Sequence, residues 1–94
     1  MTGRWLHSRE EDTASADVYR REDHAFPPAR RPRRGLEFRA DGTFLDLRPG
    51  PDDRPREVAG HWEDAGAGVL RVVFPDGRLL VLSRSGDRLL LARD

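Results

Sequence analysis

Apolar and polar residues alternate along most of this chain of 94 residues, in short runs separated by residues that favour turns. A two-residue period is typical of β-strands that bury one face. The pattern predicts eight strands: Gly3 to Glu11, Asp17 to Glu22, Leu36 to Ala40, Thr43 to Arg48, Glu57 to Asp64, Val69 to Phe74, Arg78 to Arg84 and Arg88 to Arg93. The second run also fits a short helix capped by Thr13, and the pattern leaves both interpretations open.

Turn-forming residues connect these strands. Asp41-Gly42 predicts a tight hairpin, and Pro-Asp-Gly and Ser-Gly-Asp predict two further turns near the C-terminus. Two proline-rich segments, Asp23 to Arg34 and Pro49 to Pro55, predict extended loops, because proline has no N–H to donate to a strand ladder. Short strands without a convincing helix predict an all-β fold: a single domain, 1–94, forming a small antiparallel up-and-down β-barrel of about eight strands, since closure removes the exposed sheet edges.

The alternation also predicts which side chains fill the barrel. The expected interior residues are Trp5, Leu36, Phe38, Val58, Trp62, Leu70, Val72, Leu79, Val81, Leu89 and Leu91. In an up-and-down order, both proline-rich loops are expected to cap the end of the barrel that holds Trp5. Arg93, on the last strand, is expected to stack on the Trp5 indole.

Composition narrows the possible partners. The chain has 17 basic and 17 acidic residues and no net charge, which argues against nucleic acid or an anionic membrane surface as a partner. It has no cysteine, so there is no disulfide or thiolate site, which suits a reducing cytoplasm. Without a signal pattern or an apolar run of roughly 20 residues, we expect a soluble cytoplasmic protein with no membrane partner. The oligomeric state is left open.

Four arginines stand close together in the first proline-rich segment. No aromatic residues are interleaved with them, so a solvated loop that pairs with nearby acids is favoured over a nucleic-acid surface. The arginines are Arg30, Arg31, Arg33 and Arg34, and the expected acidic partners are Asp52 and Asp53.

The first predicted strand carries the candidate chemistry. If Trp5 points inward and the strand continues to Glu11, then His7, Arg9 and Glu11 face the interior too. With Tyr19 and Trp62 they form the predicted ligand site, in which Arg9 holds an anion and His7 is the candidate catalytic acid or base. The alternative is a strand in which the residues that follow Trp5 on the same face are exposed to solvent. His7, His24 and His61, with nearby carboxylates, could also ligate zinc or another divalent metal, but none of them has the His-x-His or His-x-x-x-His spacing of metal ligands. No metal is therefore predicted, and no cofactor.

Three features resemble a known group. Gly3-x-Trp5 at the start, Gly60-x-Trp62 in the middle and Arg93 at the end resemble the small bacterial lipocalin-like barrels of the calycin group. In lipocalins the first tryptophan closes one end of the barrel and an arginine from the last strand stacks over it, so the resemblance implies these roles for Trp5 and Arg93. The chain departs from lipocalins in its length and in lacking their long first loop and their helix, which argues against a large lipid pocket.

A second resemblance covers more of the chain. Its motifs are similar to those of a set of short bacterial proteins of uncharacterised function, and they lie at Trp5 to Asp12, Phe26 to Arg30, Asp41 to Thr43 and Pro49 to Pro55. This resemblance implies no particular activity. The favoured hypothesis is a barrel that binds a compact polar or anionic small molecule in its interior. The alternatives are a small enzyme of the isomerase or cyclase type that uses His7, and a protein-interaction module that uses the loops rich in proline and arginine.

Overall fold

A computed structural model describes residues 2–28, 32–48 and 56–92. It contains the eight predicted strands, and a 3₁₀ helix, Arg9–Glu11, follows the first of them. The second run is a strand rather than a helix. The strands are β1 (Gly3–His7), β2 (Ala16–Arg21), β3 (Gly35–Phe38), β4 (Thr43–Arg48), β5 (Arg56–Gly66), β6 (Val69–Val73), β7 (Leu79–Ser85) and β8 (Arg88–Ala92).

The strands form a closed antiparallel barrel in the order β1-β2-β8-β7-β6-β5-β4-β3, and β3 pairs with β1 to complete it. The predicted all-β, eight-stranded antiparallel barrel is therefore confirmed. Strands β3 to β8 follow one another up and down, whereas the β1–β2 hairpin is inserted between β8 and β3. This insertion puts β1, rather than β2, beside β3.

The insertion changes the course of the first proline-rich segment. Because β2 and β3 are both antiparallel to β1, they run in the same direction, and the linker between them joins opposite ends of the barrel. The expectation that this linker caps one end is therefore wrong. The other proline-rich segment, Pro49 to Pro55, lies outside the described residues.

Aromatic and aliphatic side chains from all of these strands fill the barrel. The expectation is met at Trp5, Leu36, Phe38, Leu70, Val72, Leu89 and Leu91, all of them buried. Val58 and Trp62 are half-buried and pack against this core. The core also takes in residues that the pattern did not select: Tyr19, Phe44, Phe74 and Leu82.

The predicted inward face of β7 is wrong. Leu79 is 55% exposed and Val81 is 46% exposed, whereas Leu82 is fully buried and Leu80 packs against the core. Residues 79–82 are all apolar, so no polar residue marks the outer face of this strand. A shift of one residue exchanges the two faces of a strand, and here the sequence alone offers nothing that fixes the choice.

The predicted hairpin turn at Asp41-Gly42 joins β3 to β4. Gly42 has a φ of +91°, a left-handed conformation that glycine adopts without steric cost. The Asp41 carboxylate accepts a hydrogen bond of 2.9 Å from the backbone N–H of Thr43. The turn is therefore fixed both by backbone freedom and by a local side-chain bond.

Gly60, of the second Gly-x-Trp motif, lies where β5 approaches β6 closely. A Cβ atom at this position would stand 2.9 Å from the carbonyl oxygen of Val73 and 3.1 Å from the ring of Phe74. Backbone and a buried ring cannot move aside easily, so this position requires glycine.

The Trp5 indole is flanked by two guanidinium groups. Arg21 lies 4.7 Å from the centre of the Trp5 ring system and Arg84 lies 5.8 Å from it, within range of cation–π attraction. Gly3 has a φ of +126°, and a side chain there would collide with Arg21. The expected partner, Arg93, lies outside the described residues.

Candidate ligand site at one end of the barrel

Ionisable side chains collect inside the barrel at the end where β1 finishes. Because Trp5 points inward, the strand period turns His7 inward as well. Tyr19 stands directly opposite His7 in β2, and Asp17 lies on the same face of that strand. We call this the polar end and define it by His7, Asp12, Asp17, Tyr19, Arg34 and Asp46.

His7 and Asp12 form a close pair. The Nε2 atom of His7 lies 3.0 Å and 2.9 Å from the two carboxylate oxygens of Asp12. The 3₁₀ helix brings Asp12 back over the end of the barrel, where its Oδ1 also accepts a bond of 2.8 Å from the backbone N–H of Val18. One ligand atom each from His7, Asp12 and Asp17 lies within 4.8 Å of the others. The polar end therefore holds one imidazole and two carboxylates in a compact group.

A second group surrounds Asp46, whose side chain is almost fully buried. Arg34 donates from Nε and from a terminal nitrogen to the two Asp46 oxygens, at 3.1 Å and 2.8 Å. Arg48 donates two further bonds, at 3.1 Å and 3.0 Å. Burial raises the pKa of Asp46, but these hydrogen bonds outweigh it and hold the pKa below its usual value. The group thus carries two cations against one anion.

The Tyr19 hydroxyl is buried among these charges. Tyr19 is 0% exposed, its ring lies 5.2 Å from the His7 imidazole, and its oxygen has no hydrogen-bond partner among the described residues. Burial raises the pKa of Tyr19 to about 12. The nearby acids also raise this pKa, whereas the positive charge of Arg34 lowers it. The group is therefore a neutral donor at physiological pH. A buried polar group left without a bond costs about 1–3 kcal/mol.

Arg9 and Glu11 do not join His7. β1 ends at His7, and Arg9 is exposed on the 3₁₀ helix. Glu11 accepts two bonds of 2.7 Å from Arg20, which occupies the outer face of β2, and one of 3.0 Å from Ser8. The bonds from Arg20 lower the pKa of Glu11 to about 2. The prediction of a shared inner face is wrong, because the polar residues that follow His7 form the 3₁₀ helix, Arg9–Glu11, instead of extending the strand.

Trp62 belongs to the other end of the barrel. Its Nε1–H donates a bond of 2.8 Å to the carbonyl oxygen of Arg39, in the β3–β4 hairpin, and its ring lies 5.6 Å from Phe38, edge to face. That hairpin follows the end of β3 and so lies opposite the polar end. Of the predicted site residues, the structure brings together His7 and Tyr19 and separates Arg9, Glu11 and Trp62 from them.

Sequence reasoning missed four members of the polar end. Asp17 is two residues before Tyr19, and Asp46 lies between Phe44 and Arg48 in a strict alternation, so the two-residue period could have revealed both as inward charges. Asp12 and Arg34 gave no comparable signal, since one follows the 3₁₀ helix and the other ends a linker.

The arginine cluster is partly engaged within the chain. Arg33 stacks over Phe26, with its guanidinium 4.7 Å from the ring centre, and pairs with Glu10 at 2.7 Å. Arg34 pairs with Asp46 at 2.8 Å. The rest of the proposed pairing lies outside the described residues, namely Arg30, Arg31, Asp52 and Asp53.

A shallow groove opens where β7 and β8 separate. Its volume is about 220 Å³, and it is lined by Leu79, Leu80, Val81, Leu91 and Ala92. Pockets for drug-sized ligands usually have about 300–1,000 Å³. This groove is therefore smaller than the usual ligand pocket, and the exposed Leu79 and Val81 place it on the outer side of β7.

Comparisons with family models, with curated proteins and with solved structures each return no match. The fold and the site define the chain as a small closed antiparallel β-barrel with a charged interior at one end, an architecture compatible with the barrels of the calycin group. Within the described ranges, no helix has the length and apolar character to cross a membrane.

Proposed function

We propose that this protein binds a compact polar or anionic small molecule at the polar end of its barrel. The observation that carries the proposal is the buried Tyr19 hydroxyl, which has no hydrogen-bond partner among the described residues. Proteins rarely retain a buried polar atom without a bond unless a ligand, an ion or water satisfies it. A ligand that accepts a hydrogen bond from Tyr19 would remove this cost.

Charges of both signs lie near Tyr19, which suits a polar or anionic group on that ligand. Arg34 and Arg48 pair with Asp46, and the carboxylates of Asp12 and Asp17 belong to the same end of the barrel. A carboxylate or phenolate oxygen could accept from Tyr19 and gain from the positive charge of Arg34. Arg34 thus takes the role that the sequence assigned to Arg9. A calycin-like binding protein is compatible with the two guanidinium groups that flank Trp5, although these belong to β2 and β7 and not to the last strand, as the resemblance implies.

Native mass spectrometry of the protein purified from its host tests the proposal, because a retained ligand adds mass. The ligand is then titrated back into the parent and into Tyr19→Phe. Loss of one hydrogen bond to a charged group should weaken binding about tenfold or more. Trp62→Phe, at the opposite end, is the matched control and should bind like the parent. Equal binding by Tyr19→Phe and the parent would exclude this site.

A second candidate function is catalysis by His7, as in an isomerase or cyclase. The observation in its favour is the 2.9 Å contact between His7 and Asp12, since a carboxylate bonded to one ring nitrogen fixes the orientation and tautomer of an imidazole acid or base. Conversion of the retained ligand by the parent, lost in His7→Gln, would identify an enzyme. Binding without turnover would identify a carrier or sensor.

The third hypothesis, an interaction module built on the loops, draws less support. Arg33 and Arg34 are already engaged by residues of this chain and so are not available to a partner without breaking those contacts.

A further inference from the structure

We propose that His7, Asp12 and Asp17 form a binding site for a divalent transition-metal ion, with Zn²⁺ as the best fit. This site goes beyond the proposed small-molecule function. It shares with it the evidence of the buried Tyr19 hydroxyl, but its test needs no organic ligand. The three side chains come from the end of β1, from the residue after the 3₁₀ helix and from β2, so the fold brings together ligands that no local spacing joins.

The separations of the donor atoms suit a single ion. A metal ion holds nitrogen and oxygen ligands at about 2.1 Å, so neighbouring ligand atoms are about 3.0–3.4 Å apart and opposite ones about 4.2 Å. The His7 Nε2 atom lies 2.9 Å from the nearer Asp12 oxygen, and the three ligand atoms lie within 4.8 Å of one another. Binding of the ion would require one carboxylate to rotate toward the other two ligand atoms.

The charges balance as well. Two carboxylates and a neutral imidazole offer two negative charges to a divalent cation, and all three side chains are half-buried, which strengthens the attraction relative to open water. The hydrogen that now joins His7 and Asp12 would be displaced by the ion, since both groups would turn a lone pair toward it.

Tyr19 provides an independent indication of a ligand at this place. It faces His7 across the β1–β2 pair and shares the inner face of β2 with Asp17. Its hydroxyl is fully buried and has no hydrogen-bond partner among the described residues. A metal ion that keeps open coordination positions carries water or an anion there, and an oxygen of that kind would accept the hydrogen bond of Tyr19.

The ligand types select the metal. Imidazole favours zinc and its neighbours in the first transition series, whereas Mg²⁺ and Ca²⁺ prefer sites made of oxygen alone. With three protein ligands, the ion would retain at least one position for water or for a small anion. Zn²⁺ is therefore the probe, and Mg²⁺ is the selectivity control.

The first experiment titrates ZnCl₂ alone into the metal-free protein and follows the histidine ring signals by NMR. We expect the His7 ring signals to shift on Zn²⁺ addition, the melting temperature to rise, and the signals of His24 and His61 to stay in place. MgCl₂ should leave the ring signals of all three histidines and the melting temperature unchanged. Because no organic ligand is present, failure of this test refutes the metal site and leaves the small-molecule proposal standing.

The second experiment compares variants by calorimetric titration. Asp17→Asn and His7→Gln should each weaken Zn²⁺ binding by at least about tenfold. The matched controls are Asp23→Asn, in the turn after β2, and His61→Gln, on the exposed face of β5; both should bind as the parent does. Two results would overturn the proposal: unshifted His7 signals in the folded parent at saturating Zn²⁺, or binding that survives in folded Asp17→Asn with undiminished affinity.

Discussion

Replacing Tyr19 by phenylalanine should stabilise the ligand-free protein. The substitution removes one oxygen atom and leaves the ring, which packs in the core beside His7. The hydroxyl is fully buried and unbonded among the described residues, so the folded protein bears a desolvation cost of about 1–3 kcal/mol that Tyr19→Phe would remove. Using about 1 kcal/mol as the net gain, the melting temperature should rise by about 4–8 °C for a domain of this size.

Ser8→Ala provides a matched control with the opposite sign. Ser8 is only 2% exposed, like Tyr19, but its hydroxyl donates a bond of 3.0 Å to Glu11. Its loss should lower the free energy of unfolding by about 1 kcal/mol. Urea denaturation followed by tryptophan fluorescence measures both variants. If Tyr19→Phe loses stability to the same extent as Ser8→Ala, the hydroxyl has a partner in the free protein, and the argument for a ligand at this position fails.

Three further predictions concern stability. Leu82→Ala should lower the free energy of unfolding by about 2–5 kcal/mol, whereas Val81→Ala should lower it by well under about 1 kcal/mol. Urea denaturation measures both variants, and the reverse order would contradict the inward orientation of Leu82. Gly60→Ala should cost about 1–3 kcal/mol by thermal melting because of its close approach to β6, and a neutral result would refute that constraint. Glu11→Gln should lower the free energy of unfolding at neutral pH. The pKa of Glu11 in the folded protein is about 2, below its usual value of 4.5. The ionised Glu11 bonded to Arg20 therefore stabilises the fold fully above pH 4.5, and this contribution is lost as the pH falls toward 2. Denaturation curves of the parent and of this variant should therefore differ at neutral pH and approach one another at acidic pH. A difference in stability that stays constant with pH would contradict the pairing of Glu11 with Arg20.

The fold was predictable because its signals are local. A strand period can be read wherever apolar and polar residues alternate, as at residues 36–38 of β3 and 70–72 of β6. Asp41-Gly42 defines a turn through its own backbone requirements. The same rule could not orient β7, because residues 79–82 are apolar without interruption. The alternation of apolar and polar residues also could not predict the strand order. Whether β2 pairs with β3 or with β8 depends on contacts between residues far apart in the sequence.

The candidate site was predictable only in part, for the same physical reason. His7 and Tyr19 are both inward residues of adjacent strands, so a correct alternation was enough to place them together. The prediction for Arg9 and Glu11 was wrong because a strand ends where burial of its next inward residues would cost too much free energy. The residue at which the strand ends depends on the partners that are available outside the core, here Arg20 for Glu11. Asp12 reaches the site through a turn whose path no periodicity describes.

The inserted β1–β2 hairpin also determines when the barrel can be completed. β1 can pair with β3 as soon as that strand exists, but the other side of the hairpin must wait for β8, the last described strand to leave the ribosome. Until then, the outer edges of β2 and of the growing meander are unpaired and open to association with other chains. Because closure joins segments about 70 residues apart, we expect it to be a slow step of folding. An excess of a synthetic peptide corresponding to β8 should therefore compete for the edge of β2 during refolding, while leaving the closed barrel unaffected.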